Sequence, residues 1–290
     1  MITALYKAAK QGRSSELLAN TPVAIVPDSI FRLDFAWNGP VPQAGQFFLI
    51  KPERSSVFLA RPFSVMGWDR LACSAVSGTM ASDTNGLAND AVSETIVLHF
   101  LIARRGTGTA ELAQLRAGER AWLTGPLGNS WWDNGSAKAD TPIALIGGGI
   151  GIAPLAAFAR ELDKRGRRVY DFYAGFKSAS FGLEYLYPRR LYVATEDGCE
   201  GRCGRIPDLL LPQNYKAVYA CGPMPMLKGV VALCKAAAVP CFVSMEQRMA
   251  CGVGACLGCT VKVHGNGGSQ NRRCCTDGPV FNAEELVFAQ

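Results

Sequence analysis

Three cysteines near the C-terminal end stand at a spacing suited to metal chemistry. Cys251, Cys256 and Cys259 read C-x4-C-x2-C, and a further cysteine follows at 274 or 275. This is the opening spacing of a plant-type [2Fe–2S] ligand set. Four thiolates must converge on two irons, so the backbone has to wrap closely around them. Gly252, Gly254 and Gly258 permit that approach and the positive φ it needs. Their N–H groups can also donate to sulfur and tune a potential. A four-cysteine zinc site is the alternative. Zinc sites usually pair two C-x2-C-like elements, whereas here three cysteines share one loop with a single distant partner. Of the chain's 11 cysteines only Cys73 precedes residue 199, and five fall within 251–275. A secreted disulfide scaffold would be short and would spread its cysteines. A late cluster reads instead as a metal site in a reducing compartment.

Three further motifs suit nucleotide chemistry. Gly148-Gly149-Ile150-Gly151-Ile152-Ala153-Pro154 follows an apolar strand-like run. Such a loop turns backbone amides and a helix N-terminus toward a phosphate, and Pro suits a first helical turn. It is not G-x-G-x-x-G, because counting from Gly147 or Gly149 the last position is Ile152 or Pro154. The alternative is a tight strand–helix turn. In Arg61-Pro62-Phe63-Ser64 the Arg can neutralise a pyrophosphate, and the hydroxyl can reach a flavin ring edge. The alternative is a strand-edge device. Cys221-Gly222-Pro223 ends a short apolar run, the place where ligands sit in open α/β sheets. The alternative is a small buried Cys before a helix.

Two patterns of element position these motifs. Across residues 21–132 the signals are short and β-like. Phe31-Arg32-Leu33-Asp34-Phe35 alternates apolar and polar, and residues 46–50, 62–66, 71–77 and 96–104 are further strand candidates. Asn38-Gly39-Pro40, Gly67 and Asn85-Gly86 separate them, a spacing that suggests a sandwich or barrel. One helix is expected over 109–115, entered from Gly106-Thr107-Gly108. The polar run 133–141 is the best domain boundary. Beyond it, strands at 143–146, 169–174, 190–195 and 217–221 alternate with helices at 154–165 and 224–237, which implies a mostly parallel sheet. From Glu246 the chain is rich in Cys and Gly, so something other than a hydrophobic core is expected to hold it.

Composition excludes several classes. The 290 residues are 49% hydrophobic and 19% charged, as in a folded globular chain of about two domains with a small third. No apolar run approaches the ~20 residues of a membrane span; the longest, 96–103, contains His99. Residues 1–20 are mildly basic without the apolar core of a signal peptide and are expected to be an extra helix or a loose arm. The charge of +6 is carried by scattered Arg pairs, unlike the concentrated face of a nucleic-acid binder. His99 and His264 read as structural or exposed, and Cys73, Cys234 and Cys241 as small apolar residues. Cys199 and Cys203 receive no role. Asp171 against Lys177 and Ser178 leaves NAD versus NADP open.

Taken in order, R-P-F-S, the glycine loop, C-G-P and the cysteine tail resemble the ferredoxin–NADP reductase-like flavoproteins. Ser244-Met245-Glu246-Gln247-Arg248-Met249-Ala250-Cys251 and Cys275-Thr276-Asp277-Gly278-Pro279-Val280-Phe281 resemble the electron transfer subunits of NAD-dependent (type B) dihydroorotate dehydrogenase. Gly125-Pro126-Leu127-Gly128-Asn129 and Thr195-Glu196-Asp197-Gly198 match as well. The resemblance covers residues 23–286. It implies an antiparallel β-barrel FAD domain (21–138) after an N-terminal extension (1–20). An α/β parallel-sheet NAD-binding domain (139–243) and a small [2Fe–2S] cluster domain (244–290) would follow. Arg61, Pro62, Phe63 and Ser64 would bind FAD, with Gly106, Thr107, Gly108 and Thr109 around its pyrophosphate. Gly148, Gly149, Gly151, Cys221, Gly222 and Pro223 would face the nicotinamide nucleotide. Cys251, Cys256, Cys259 and Cys275 would bind the cluster, the family's spacing to the D-G-P-V-F tail selecting Cys275 over Cys274. The implied activity is a cytoplasmic electron relay in pyrimidine biosynthesis. Electrons would pass from an FMN-containing dihydroorotate dehydrogenase catalytic subunit, through the cluster and FAD, to NAD⁺. The expected assembly is a heterotetramer of two of each chain, with no residue of this chain acting on dihydroorotate. A related flavin/iron–sulfur subunit of a hydrogenase or a ferredoxin-dependent transhydrogenase is the alternative, and a zinc-binding interaction protein a more distant one.

Overall fold

A computed structural model of the chain describes residues 12–23, 29–71, 95–132, 142–265 and 267–288. The expected linker 133–141, Cys73, the turn at Asn85-Gly86 and most of the 71–77 strand lie outside the described residues.

The N-terminal half is one antiparallel sheet of seven strands. In chain order these are β1 (Arg13–Pro22), β2 (Ile30–Trp37), β3 (Phe47–Pro52), β4 (Arg61–Ser64), β5 (Gly67–Arg70), β6 (Ile96–Ala103) and β7 (Arg120–Leu127). Their order in space is β4-β3-β7-β1-β2-β6-β5. The strands at the two ends, β4 and β5, are joined by Val65-Met66. Val65 N–H donates to Gln46 on the β3 side and Met66 N–H to His99 on β6. That link curls the sheet into a barrel. The alternation in β2 does what its period demands: Phe31, Leu33, Phe35 and Trp37 all point inward. Trp37 meets Phe48 edge-on and Phe35 meets Phe100 likewise, with ring centroids 5.1 Å and 6.3 Å apart. The first strand corrects the boundary at residue 20. Residues 13–20 are part of the sheet and pair with both β2 and β7. Helix α1 (Thr107–Gln114) lies between β6 and β7.

The second sheet runs β11-β10-β9-β8-β12-β13-β16. Its members are β8 (Ile143–Gly148), β9 (Tyr170–Phe176), β10 (Arg190–Thr195), β11 (Arg202–Cys203), β12 (Val218–Cys221), β13 (Cys241–Ser244) and β16 (Val280–Asn282). All neighbours pair parallel except β13 and β16. Helices α2 (Ile152–Lys164) and α3 (Met224–Ala236) cover opposite faces, because successive strand residues point to opposite sides. Ile143 and Leu145 pack with α2, and Ala144 and Ile146 with α3. The order of strands reverses between β8 and β12, a topological switch point.

The cysteine tail leaves this sheet at β13 and returns to it at β16. Between them lie the thiol loop and a hairpin of β14 (Thr260–Gly265) and β15 (Gly268–Arg273). Contrary to the sequence expectation, the tail does own buried apolar side chains. Val261, Val263, Phe281 and Leu286 are each at most 5% exposed and share a core with α3 and with Phe47 and Leu49 of the barrel. Among the described residues no helix is long and apolar enough to cross a membrane.

Candidate functional site

One cavity of about 1240 Å³ opens where barrel, α/β sheet and tail meet. That exceeds the ~300–1,000 Å³ of ordinary small-molecule sites and gives room for more than one nucleotide-sized group. Its barrel wall is β4, where Arg61, Pro62, Phe63 and Ser64 all line it. Arg61 Nη1 donates to Leu59 O at 2.6 Å, and no carboxylate among the described residues pairs with this guanidinium. Behind Arg61 lies buried Gly108; a Cβ there would sit 3.4 Å from Arg61 Nε. Thr109 also lines the cavity. Its hydroxyl oxygen accepts the N–H groups of Arg105 (2.8 Å) and Gly106 (3.1 Å), capping α1. Gly106 and Thr107 are exposed and stand outside the cavity wall.

The opposite wall is the switch point. Gly148 and Gly149 line the cavity from the end of β8, and Gly222 and Pro223 from the end of β12. Gly151 and Cys221 lie beneath, both buried. A Cβ on Gly151 would stand 2.2 Å from the Cys221 carbonyl oxygen, and one on Gly148 2.5 Å from Met226 Sδ. These glycines therefore bring two loops into backbone contact. Gly149 differs: its φ is +54° and a Cβ would meet nothing within 4 Å, so its backbone faces open space.

Sequence reasoning about Asp171 fails here. Its side chain is 1% exposed near the start of β9. It accepts from Arg189 Nε and Nη2, both at 2.9 Å, and from the Tyr215 hydroxyl at 2.8 Å. Burial pushes this carboxyl up, but the hydrogen bonds from Arg189 and Tyr215 outweigh burial and hold it below the usual range. It is a core ion pair, not a ribose ligand. Lys177 and Ser178 do line the cavity.

The tail supplies cavity residues that spacing alone does not signal: Met245, Glu246, Gln247 and Met249. Met245 N–H donates to Pro279 O at 2.8 Å. Burial pushes the Glu246 carboxyl up, with Arg105 drawing it partly back. This side chain is reached by solvent through the cavity, yet protein surrounds it.

The four nominated thiols gather next to this wall. Gly252 (φ +68°) and Gly254 (φ +76°) make the turns of the thiol loop. A Cβ on Gly252 would meet Leu49 Cδ1 at 2.6 Å and Leu127 Cδ1 at 3.1 Å, so the loop is seated on β3 and β7. Gly254 N–H donates to Cys275 Sγ (3.1 Å) and Cys256 N–H to Cys251 Sγ (3.4 Å). Cys256 is drawn down to about 7 by backbone hydrogen bonds from Cys251 and Gly258 and by the Cys251 side chain. Cys275 is pushed up to about 12 by burial and by its hydrogen bond with Cys259. Cys251 thus lies beside Cys256, and Cys259 beside Cys275. Among the described residues no three His, Cys, Asp or Glu side chains are placed to hold a single ion. A [2Fe–2S] cluster takes two thiolates on each iron, and two neighbouring pairs suit that division. Cys274 faces away, fully buried, its Sγ donating to Met245 O at 3.1 Å.

Two further motifs prove to be each other's partners. Asn129 N–H donates to Gly278 O (2.6 Å) and its amide to Val280 O (2.8 Å), while its Oδ1 accepts from Val280 N–H (3.0 Å). Gly125-Pro126-Leu127-Gly128-Asn129 therefore anchors the tail to the barrel.

Comparison with known proteins places this geometry. Residues 246–287 match the family model described as the iron–sulfur cluster binding domain of dihydroorotate dehydrogenase B. The electron transfer subunit of dihydroorotate dehydrogenase B (NAD(+)) from Clostridium acetobutylicum is 35% identical over 265 residues, spanning 91% of this chain and 93% of the relative. The chain belongs to the electron transfer subunits of dihydroorotate dehydrogenase B. The subunit from Caldanaerobacter subterraneus is 34% identical over 277 residues, spanning 94% and 98%. The fold extends beyond these electron transfer subunits. A chain of the NADH-dependent reduced ferredoxin–NADP oxidoreductase superposes with a TM-score of 0.70 at 23% identity, covering 94% of this chain and 89% of its own. A ferredoxin NADP⁺ reductase from Neisseria gonorrhoeae with bound FAD and NADP gives 0.54 at 16%, covering 82% and 93%.

Proposed function

We propose that this chain carries electrons from dihydroorotate, oxidised in an FMN-containing catalytic partner subunit, to NAD⁺ for pyrimidine biosynthesis, using FAD and a [2Fe–2S] cluster that it binds itself. The observation that carries this reading is the meeting of β4, the switch-point loops and the tail on one cavity, with the thiol loop seated on the adjacent barrel strands. FAD when bound exchanges single electrons for a hydride pair, and the cluster handles electrons one at a time.

The residues present fit these groups. Arg61, with which no carboxylate among the described residues pairs, would neutralise a pyrophosphate, and Ser64 offers a hydroxyl to a flavin edge. Gly108 allows α1 to pack closely behind Arg61, and the cap at Gly106 to Thr109 orders the turn beside it. Gly148 and Gly149 present backbone toward the nucleotide's phosphates at the start of α2, with Gly222 and Pro223 opposite. Cys251 and Cys256 would hold one iron, and Cys259 and Cys275 the other. Gly254 N–H, already aimed at Cys275 Sγ, would tune the cluster. Cys274 takes no part. In a reducing cytoplasm the thiols stay unpaired, and the described cysteines are all free. Two copies of each chain complete the assembly.

The test is the purified chain with and without its catalytic partner. Alone it should absorb as flavin plus iron–sulfur, reduce dyes with NADH, and leave dihydroorotate untouched. With the partner it should couple dihydroorotate to NAD⁺. Turnover of dihydroorotate by the single chain, or a colourless preparation containing zinc, would refute the reading.

A further inference from the structure

A chain of charged groups crosses from the barrel to the helix that follows the glycine loop. His99 on β6 is 4% exposed. Its Nε2 lies 3.0 Å from Asp69 Oδ2 on β5, and Asp69 Oδ1 accepts from Arg160 Nη2 of α2 at 2.6 Å. On the other side, His99 Nδ1 lies 2.8 Å from both Asp34 Oδ1 and Arg32 Nη2 on β2. Arg32 in turn covers the ring of Tyr185, 5.1 Å from its centroid, in the turn after β9. An imidazole that accepts from Arg32 at Nδ1 carries its proton on Nε2. With Nδ1 engaged on that side, Nε2–H donates to Asp69.

The packing around Arg160 is specific. Gly67 pairs with His99 across the sheet, and a Cβ on Gly67 would stand 2.6 Å from Arg160 Nη1. The Nη1 end of the guanidinium therefore packs against bare backbone. The next residue, Glu161, accepts the Ala44 N–H of the barrel at 2.9 Å, and Lys164 sits 5.9 Å over the Trp68 ring. One face of α2 is thus fastened to the barrel. Arg160 lies eight residues after Ile152, about 12 Å along a rigid helix from the loop that contains Gly148 and Gly149.

We propose that Arg160, Asp69 and His99 are positioning residues for electron exchange between flavin and nicotinamide. They fix the glycine loop against the flavin strand without touching either ligand. The inference rests on the function proposed above. An exposed ion pair adds little stability, so the chain's effect should appear in geometry, where small displacements are costly.

The experiment uses the FAD-loaded full chain. In Arg160→Gln, the rate of flavin bleaching at saturating NADH should fall at least five-fold with FAD per chain unchanged. Amide hydrogen exchange over residues 147–152 should rise. Asp69→Asn should do the same, and the double variant should add nothing further. Arg160→Lys, which keeps a cation, should recover at least half of the rate. Wild-type bleaching and exchange in Arg160→Gln would overturn the proposal. So would rate, FAD content and melting temperature falling together, since that marks a merely structural role. If NADH fails to bleach even the wild-type chain, the proposed function falls instead. The exchange comparison still decides whether Arg160 holds the loop.

Discussion

Gly151→Ala is the sharpest probe of the nucleotide wall. The added carbon would stand 2.2 Å from the Cys221 carbonyl oxygen, 2.5 Å from its carbon and 2.8 Å from Gly222 N. Relaxed heavy-atom contacts need roughly 3.5 Å, so the two segments must part by about 1 Å. Neither can yield by a side-chain rotation. Both are backbone, tied at Ala220↔Ile146 and Cys221↔Gly147 in the β8–β12 ladder. Overpacking of this kind costs about 1–3 kcal/mol. If all of it falls on the nucleotide site, kcat/KM for NADH drops by about one to two decades. The assay is dye reduction with NADH, with FAD content read from absorbance; FAD should stay bound, because β4 is untouched. Gly166→Ala is the control. Its φ is +69° and its Cβ would meet nothing within 4 Å, so it carries about 1 kcal/mol of backbone strain at the far end of α2. Its kinetics should be normal. Wild-type kcat/KM in Gly151→Ala, or equal losses in both variants, would refute the reasoning.

Cys275→Ser should bleach the iron–sulfur absorption while Cys274→Ser leaves it; the opposite result, read in the visible spectrum, would reverse the ligand assignment. Arg61→Ala should weaken FAD by about one to two decades, the value of a charge-assisted hydrogen bond, as titrated by flavin fluorescence. Asp171 has a depressed carboxyl, so its ion pair contributes stability above the unfolded carboxylate range and loses it as pH falls below that range through the lower folded-state value. Asp171→Asn should therefore melt lower than wild type at pH 7, with the gap closing below about pH 4. Leu257, 62% exposed in the thiol loop with φ +56°, should tolerate Glu for dye reduction but not for coupling to the catalytic subunit, measured side by side.

What could be read beforehand divides along physical lines. Strand β2 was legible because one face is buried and the period survives. Strand β1 was not: a register shift between Leu17 and Ala19 breaks its alternation, and it passed for an extension. The polar run of β15 (GSQNRR) carries no apolar period, since all but its last residue are exposed. Thiol spacing announced an iron–sulfur loop, but adjacent Cys274 and Cys275 differ only in the direction each side chain takes. Asp171 looked available because sequence position gives no sense of burial. Met245 and Glu246 reach the cavity only because β13 ends beside the switch point, which is a fact of topology.

The return of the tail to the sheet changes what kind of object the thiol loop is. Strands β13 and β16 are hydrogen-bonded neighbours, from Phe242↔Asn282 to Ser244↔Val280. The 35 residues between Ser244 and Val280 are thus an excursion clamped at both ends by one ladder. Closing such a loop carries an entropy cost, and the sheet has already met it before any metal arrives. The segment therefore does not need to fold as a free-standing unit. The dependence also runs the other way. A chain cut after Ser244 would lose its last strand and bare the backbone of β13, the kind of open edge that recruits other chains. In this architecture the electron-carrying loop and the solubility of the nucleotide domain are inherited together.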